Sequence, residues 1–213
     1  MFRGCEVIIF VCLMLKLPYF LASGVTLLLG WTAVALGLNM NITWTIHQSG
    51  GPLYDDFFIH FSWLAEWALI FLAVTIALIV DWKRALFMGG ILGIQALIVA
   101  AIKQGLNAPR PIEINHQWVR LIPHLEIHHW QAFPSGHTAV AFFTMGWLSL
   151  NYPKSYKHSW AVGLFLFIVA AGIGYSRMYL GQHSLIDVCA GASIALIFLF
   201  IAQYLGNKWR IHE

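Results

Sequence analysis

The hydrophobic pattern of this chain consists of long unbroken apolar runs rather than short periodic stripes. Runs occupy residues 17–38, 64–80, 85–102, 138–150, 160–175 and 188–205. Because the hydrocarbon core of a bilayer takes about 20 helical residues, runs of this length predict membrane-crossing helices. The fourth and fifth are short and are expected to borrow flanking residues. Ahead of the first run, residues 6–15 either continue that helix through a kink at Pro18 or lie along the interface as a separate piece, and the pattern leaves both open. Arg3, the apolar stretch 7–15 and the small residues Ala22, Ser23 and Gly24 bring a cleaved leader into consideration. Lys16 and the apolar continuation to Leu38 favour a retained first helix instead. The expectation is an all-α bundle of six transmembrane helices forming a single membrane-embedded domain over residues 1–213.

Composition agrees with the pattern. With 60% hydrophobic residues, 10% charged residues and a mean hydropathy of +0.73, the chain lies far from a soluble domain. Cys5, Cys12 and Cys189 sit within or beside apolar runs without metal-ligand spacing and read as small buried hydrophobes. Most of the ten Trp are expected at span ends as headgroup-level anchors. Gly89, Gly90, Gly93, Gly172 and Gly174 suit close helix packing in lipid. There is no internal repeat, no Gly-rich nucleotide loop and no basic nucleic-acid patch.

The net charge of +3 says little, whereas the distribution of Lys and Arg assigns an orientation. Arg3, Lys16, Lys83, Arg84, Lys154, Lys157, Lys208 and Arg210 all fall on one side of the six expected spans. The excess of positive charge in short loops makes that side, with both termini, cytoplasmic in a cytoplasmic (inner) membrane. Lys103, Arg110, Arg120 and Arg177 fall on the other side. Three of these four belong to polar stretches that interrupt the apolar pattern, so their charges look retained for a task.

Those stretches are 103–111 (Lys-Gln-Gly-Leu-Asn-Ala-Pro-Arg-Pro), 134–137 (Pro-Ser-Gly-His) and 176–187, which carries Arg177, His183 and Asp187. His183 and Asp187 are four apart and share a helix face, so the carboxylate can hold one ring nitrogen and leave the other basic. Ser135 can cap the following helix, Gly136 allows close backbone approach, and the N–H groups of the first turn attract an anion. Lys103, Arg110 and Arg177 add fixed cations, and Pro109 and Pro111 stiffen the segment around the arginine. Three cations, a helix N-terminus and two histidines make a receptor for a doubly charged tetrahedral oxyanion. His183, which has the carboxylate, is then the nucleophile, and His137 the general acid and base. The cluster His124, Glu126, His128 and His129 reads as a solvated interfacial loop in preference to a metal site.

Taken together, Lys103 with Arg110-Pro111, Pro134-Ser135-Gly136-His137, and Ser176-Arg177 with His183 and Asp187 resemble the three-part signature of the type 2 phosphatidic acid phosphatase (PAP2) superfamily at every position. The resemblance implies a six-helix membrane core and hydrolysis of a phosphomonoester or pyrophosphate without metal or other cofactor, through a phosphohistidine. It places Lys103, Arg110, Ser135, Gly136, His137 and Arg177 around the phosphate. The expected substrate is a membrane lipid phosphate, met at the outer face, with the bilayer and no nucleic acid as partner. Two rival functions share the same residues: phosphoryl transfer to an acceptor other than water, and binding or transport of a lipid phosphate without chemistry. Paired histidines argue for proton traffic and against the second. Which lipid is used, and the oligomeric state, are not legible in the pattern.

Overall fold

A computed structural model describes residues 18–63, 74, 81–126, 128–151 and 159–208. The described residues are helical and contain no strand. In chain order the helices are α1 (Pro18–Ala35), α2 (Asn39–Gln48), α3 (Pro52–Trp63), α4 (Trp82–Leu106), the single turn α5 (Pro111–Ile114), α6 (Gly136–Asn151), α7 (Ser159–Tyr179) and α8 (Leu185–Lys208), with a 3-10 turn at His116–Trp118 after α5. Four segments are long and apolar enough to cross a membrane: Pro18–Ala35, Trp82–Ile114, Ser159–Tyr179 and Leu185–Gly206. The expected span at 138–150 corresponds to α6, which at 16 residues is shorter than these four. The expected span at 64–80 lies outside the described residues apart from Val74, as do the 6–15 segment, Cys5, Cys12, Lys16, Lys154, Lys157 and Arg210.

Helix α4 starts and stops for a local reason. Asp81 opens α4 by accepting hydrogen bonds from the N–H groups of Lys83 (2.9 Å) and Arg84 (3.3 Å). Asn107 closes it in the left-handed conformation, φ 40°, donating its N–H to Lys103 O. Lys103 therefore stands in the last turn of α4, where its cation complements the helix dipole.

The core is built around α6, which packs on α7 and α8 and is flanked by α1 and α4. Phe142, Phe143 and Met145 of α6 meet Tyr19 and Phe20 of α1, Met88 of α4, Ile173 of α7 and Leu199 of α8 in one buried cluster. Tyr19, wholly buried, donates its hydroxyl to Phe142 O at 2.7 Å, which keeps its polar end satisfied. Where α8 crosses the start of α6 the helices touch through backbone, because a Cβ at Gly191 would collide with Ser135 O. Of the glycines expected to serve packing, Gly172 and Gly174 do so against Phe61 and Val188. At Gly89, Gly90 and Gly93 a Cβ would meet nothing within 4 Å among the described residues.

The segment between the first two expected spans forms α2 and α3, both resting on α7. A polar clasp ties them to the later loop. Arg120 donates from NH1 to both Asp55 oxygens, at 2.8 and 2.6 Å, and Tyr179 donates its hydroxyl to Asp55 Oδ1 at 2.8 Å. His47 Nδ1 donates to Tyr179 O at 2.7 Å and its Nε2 accepts the Arg120 N–H at 2.7 Å, which fixes the neutral tautomer. Arg120, which lies outside the three polar stretches, thus serves the fold.

Candidate active site

The three polar stretches meet at one end of the bundle through hydrogen bonds that can be followed pair by pair. Residues 108–110 run beside 129–132: Ala132 donates its N–H to Ala108 O at 3.0 Å and Arg110 donates its N–H to His129 O at 2.9 Å. Lys103 Nζ donates to Gln131 O at 2.6 Å, which holds the ammonium over the same loop. The Arg110 side chain turns inward, with Nε donating to Trp130 O at 3.0 Å and NH1 to Gln182 Oε1. Pro111 favours this course, since the residue before a proline is driven to extended backbone and Arg110 has φ −80° and ψ 163°.

The second stretch is anchored to the third by Ser135 N–H, which donates to Asp187 O at 2.9 Å. Ser135 is wholly buried, and its Oγ accepts from Thr138 Oγ1 at 2.9 Å and from Thr138 N–H at 3.4 Å, capping α6. Gly136 faces Lys103, whose Cε would lie 3.8 Å from a Cβ there. His137 follows, half-buried, in the first turn.

Arg177 lies in the last turn of α7, buried, with NH1 donating to Ser62 Oγ of α3. The chain then folds back on itself. Arg177 O accepts from both Gln182 N–H (3.0 Å) and His183 N–H (3.2 Å), and Gly181 supplies the left-handed residue, φ 68°, that such a reversal needs. A Cβ at Gly181 would also press on the His47 ring, 2.9 Å away. The reversal delivers His183 to the centre of the cluster at 1% exposure.

His183 Nδ1 lies 3.7 Å from Asp187 Oδ2, within ion-pair reach but beyond a hydrogen bond, and has no hydrogen-bond partner among the described residues. The expectation that the carboxylate holds the ring directly is met in position and not in contact. Asp187 Oδ2 instead accepts Ser184 N–H at 2.7 Å and Ser184 Oγ at 3.0 Å, the carboxylate half of a capping box. The next two amides of α8 are also taken, Leu185 N–H by Thr43 Oγ1 and Ile186 N–H by Asn39 Oδ1. Burial pushes the His183 imidazole well below its ordinary pKa, and the charges of Arg177, Arg110, Lys103 and His137 push it further the same way. Lys103 and Arg110 also act on Asp187. The ring is therefore neutral at physiological pH, the form able to attack.

Several residues of the site were not singled out from the sequence. Gln182 holds Arg110, Ser62 holds Arg177, and Thr138 holds Ser135. Two of these pairs join residues 72 and 115 apart in the chain, so no local spacing announces them. Among the described residues no three His, Cys, Asp or Glu converge as a metal-ligand set. In the loop between α5 and α6, His129 pairs with Glu113, and His128 lies 4.0 Å from Glu126. Beside the site an apolar groove of about 600 Å³ runs between α1, α7 and α8, past Leu27, Phe167, Met178, Leu185 and Val188.

The sequence profile of the PAP2 superfamily matches residues 84–211. The chain is 29% identical over 85 residues to a lipid A 4'-phosphatase of Helicobacter pylori, covering 39% of this chain and 40% of that protein. It is 32% identical over 85 residues to phosphatidylglycerophosphatase B of Bacillus subtilis, covering 36% of this chain and again 40% of the relative. Both matches therefore span well under half of those relatives. The crystal structure of LpxE from Aquifex aeolicus superposes with a TM-score of 0.66 at 29% identity, over 78% of this chain and 95% of that one.

Proposed function

The chain belongs to the PAP2 superfamily, and from that membership and the cluster around His183 we propose that it hydrolyses a membrane lipid phosphate, monoester or pyrophosphate, through a phosphohistidine and without a metal ion. The single observation that carries this reading is that hydrogen bonds draw the stretches bearing Lys103, Arg110, Ser135 and Arg177 together around the buried His183. Two relatives named as lipid phosphatases support it.

In this reading the phosphate dianion sits among Lys103, Arg110 and Arg177, with Ser135 and the first turn of α6 at Gly136 and His137. These donors match the charge that spreads over three equatorial oxygens in the transition state. The ring nitrogen of His183 turned away from Asp187 attacks phosphorus. The bond to the leaving oxygen breaks as His137 protonates that oxygen. Water then attacks the phosphohistidine, giving its proton to His137, and the P–N bond breaks to release inorganic phosphate and neutral His183. Asp187, 3.7 Å away, steadies the ring as it gains charge.

The same proposal extends to topology. The four apolar segments, together with α6 and residues 64–80, make six spans, with termini in the cytoplasm of a cytoplasmic (inner) membrane and the site at the outer face. The apolar groove lets a lipid keep its tail in the bilayer while its phosphate reaches His183. Purified protein in detergent with EDTA should release phosphate from at least one of phosphatidate, phosphatidylglycerophosphate and a polyprenyl pyrophosphate. No release from any of the three, or release that EDTA abolishes and added metal restores, contradicts the reading.

A further inference from the structure

Among the described residues, cations that serve the fold and two cations of the phosphate cluster are held in different ways. In the fold a carboxylate meets the cation: Arg120 donates to both oxygens of Asp55, and Arg84 Nε lies 3.2 Å from Asp81 Oδ2. In the cluster the acceptors are neutral. Lys103 Nζ donates to Gln131 O at 2.6 Å, and the Arg110 side chain donates to Trp130 O at 3.0 Å and to Gln182 Oε1. Asp187, whose charge bears on both cations, gives its side-chain hydrogen bonds to Ser184 instead. A guanidinium hydrogen-bonded to a carboxylate is well aimed but electrically cancelled. One held by an amide oxygen is aimed and keeps its charge for a ligand.

Gln182 supplies that amide oxygen, and its surroundings allow it one orientation. It is 4% exposed. Its Oε1 faces the Arg110 guanidinium, which can only donate, and its Nε2 donates to Glu126 O at 3.3 Å, which can only accept. Its own N–H donates to Arg177 O at 3.0 Å, in the same reversal that brings the N–H of His183 to Arg177 O at 3.2 Å. One residue thus fixes Arg110 against the backbone that carries both Arg177 and His183. Glutamate would fill the same space, but only the amide satisfies both neighbours without adding a charge.

Resting on the lipid-phosphatase reading, we propose that Gln182 is a positioning residue for the phosphate-binding Arg110, and that its neutrality is the property the site requires. The amide aims the guanidinium at the phosphate held before His183 and leaves its full charge for the dianion. A carboxylate in the same place competes with the phosphate for Arg110.

The test measures kcat/KM in detergent for wild type, Gln182→Met and Gln182→Glu, using whichever of phosphatidate, phosphatidylglycerophosphate and a polyprenyl pyrophosphate wild type hydrolyses fastest. The dissociation constant of inorganic phosphate is measured on the same preparations by calorimetry. Gln182→Met removes the acceptor and should lower kcat/KM about tenfold, the worth of one hydrogen bond to a charged group. Gln182→Glu keeps an acceptor for Arg110, yet should lower kcat/KM and weaken phosphate binding at least about tenfold beyond Gln182→Met. A bond that serves only the fold predicts the opposite order, with Gln182→Glu the milder change, and that order overturns the proposal. A double-mutant cycle covers the case in which Gln182→Glu fails to fold: in an Arg110→Met background, Gln182→Met should change kcat/KM less than about twofold. An undiminished loss there means that Gln182 does not act through Arg110. Phosphate bound in the expected order, without hydrolysis of any of the three lipids, upholds the role of Gln182 and removes the phosphatase reading. Hydrolysis indifferent to both variants does the reverse, and a wild type that neither binds phosphate nor hydrolyses a lipid sinks both.

Discussion

At the scale of single residues, the account turns on a histidine kept neutral by its surroundings. An imidazole in water titrates near 6.5, and both burial and the neighbouring cations move His183 below that value. A nucleophile must lose its proton to act, so the acid limb of the kcat/KM profile should fall below pH 6.5. A limb at or above that pH, traced to His183 by substitution, would show that the cations do not surround it. Asp187 has two duties, since its side chain caps α8 and stands 3.7 Å from the ring. Asp187→Asn keeps a side-chain oxygen for Ser184 and removes the charge. It should lower kcat by up to about four orders of magnitude, as loss of an orienting carboxylate does in catalytic triads, with little change in melting temperature. A fall in melting temperature with near-normal kcat would make Asp187 a cap and nothing more.

At the scale of elements, the clasp of His47, Asp55, Arg120 and Tyr179 joins α2, α3, the 120s loop and the end of α7 just ahead of the reversal that delivers His183. Burial alone would raise the Asp55 carboxyl, but its hydrogen bonds from Arg120 and Tyr179 outweigh burial and hold it below the usual range. Its contribution to stability is therefore complete at neutral pH and is lost only as pH falls below about 3.9. For His47, burial and the Arg120 charge outweigh the Tyr179 carbonyl and lower the pKa, so the unfolded chain binds that proton first and stability declines as pH drops below about 6.5. Asp55→Ala should cost about 3 kcal/mol, by leaving a half-buried guanidinium without its partner, and lower the melting temperature in detergent. No thermal change would mean the clasp is incidental. These elements also mark the limit of what the chain discloses. Helices α4, α7 and α8 and the three polar stretches stand out because long apolar runs and sharp changes of composition are local signals. Helices α2 and α3 do not: Asn39–Gln48 and Pro52–Trp63 mix polar and aromatic residues over 10 and 12 positions, and their stability comes from resting on α7. Ser62 and Gln182 were hidden for the same reason, being partners of arginines far away in sequence.

At the scale of the whole molecule, the claim is that a membrane bundle gathers its outer cations at one end. Single cysteines in a background lacking the three native ones report the topology. A cysteine at Glu126, in the outer loop, should react with an impermeant maleimide added to intact cells, and one at Lys83, at the exposed start of α4, only after permeabilisation. The reverse pattern would place the site on the cytoplasmic face and remove the charge-bias argument for orientation. The central claim, that three distant segments hold a phosphoryl group against one imidazole, is tested most directly by trapping the phosphoenzyme. Turnover of a radiolabelled lipid phosphate would be quenched in alkali and the labelled peptide mapped. The account predicts an alkali-stable, acid-labile label on His183, absent in His183→Ala. A label on another residue, or none while phosphate is being released, would contradict it.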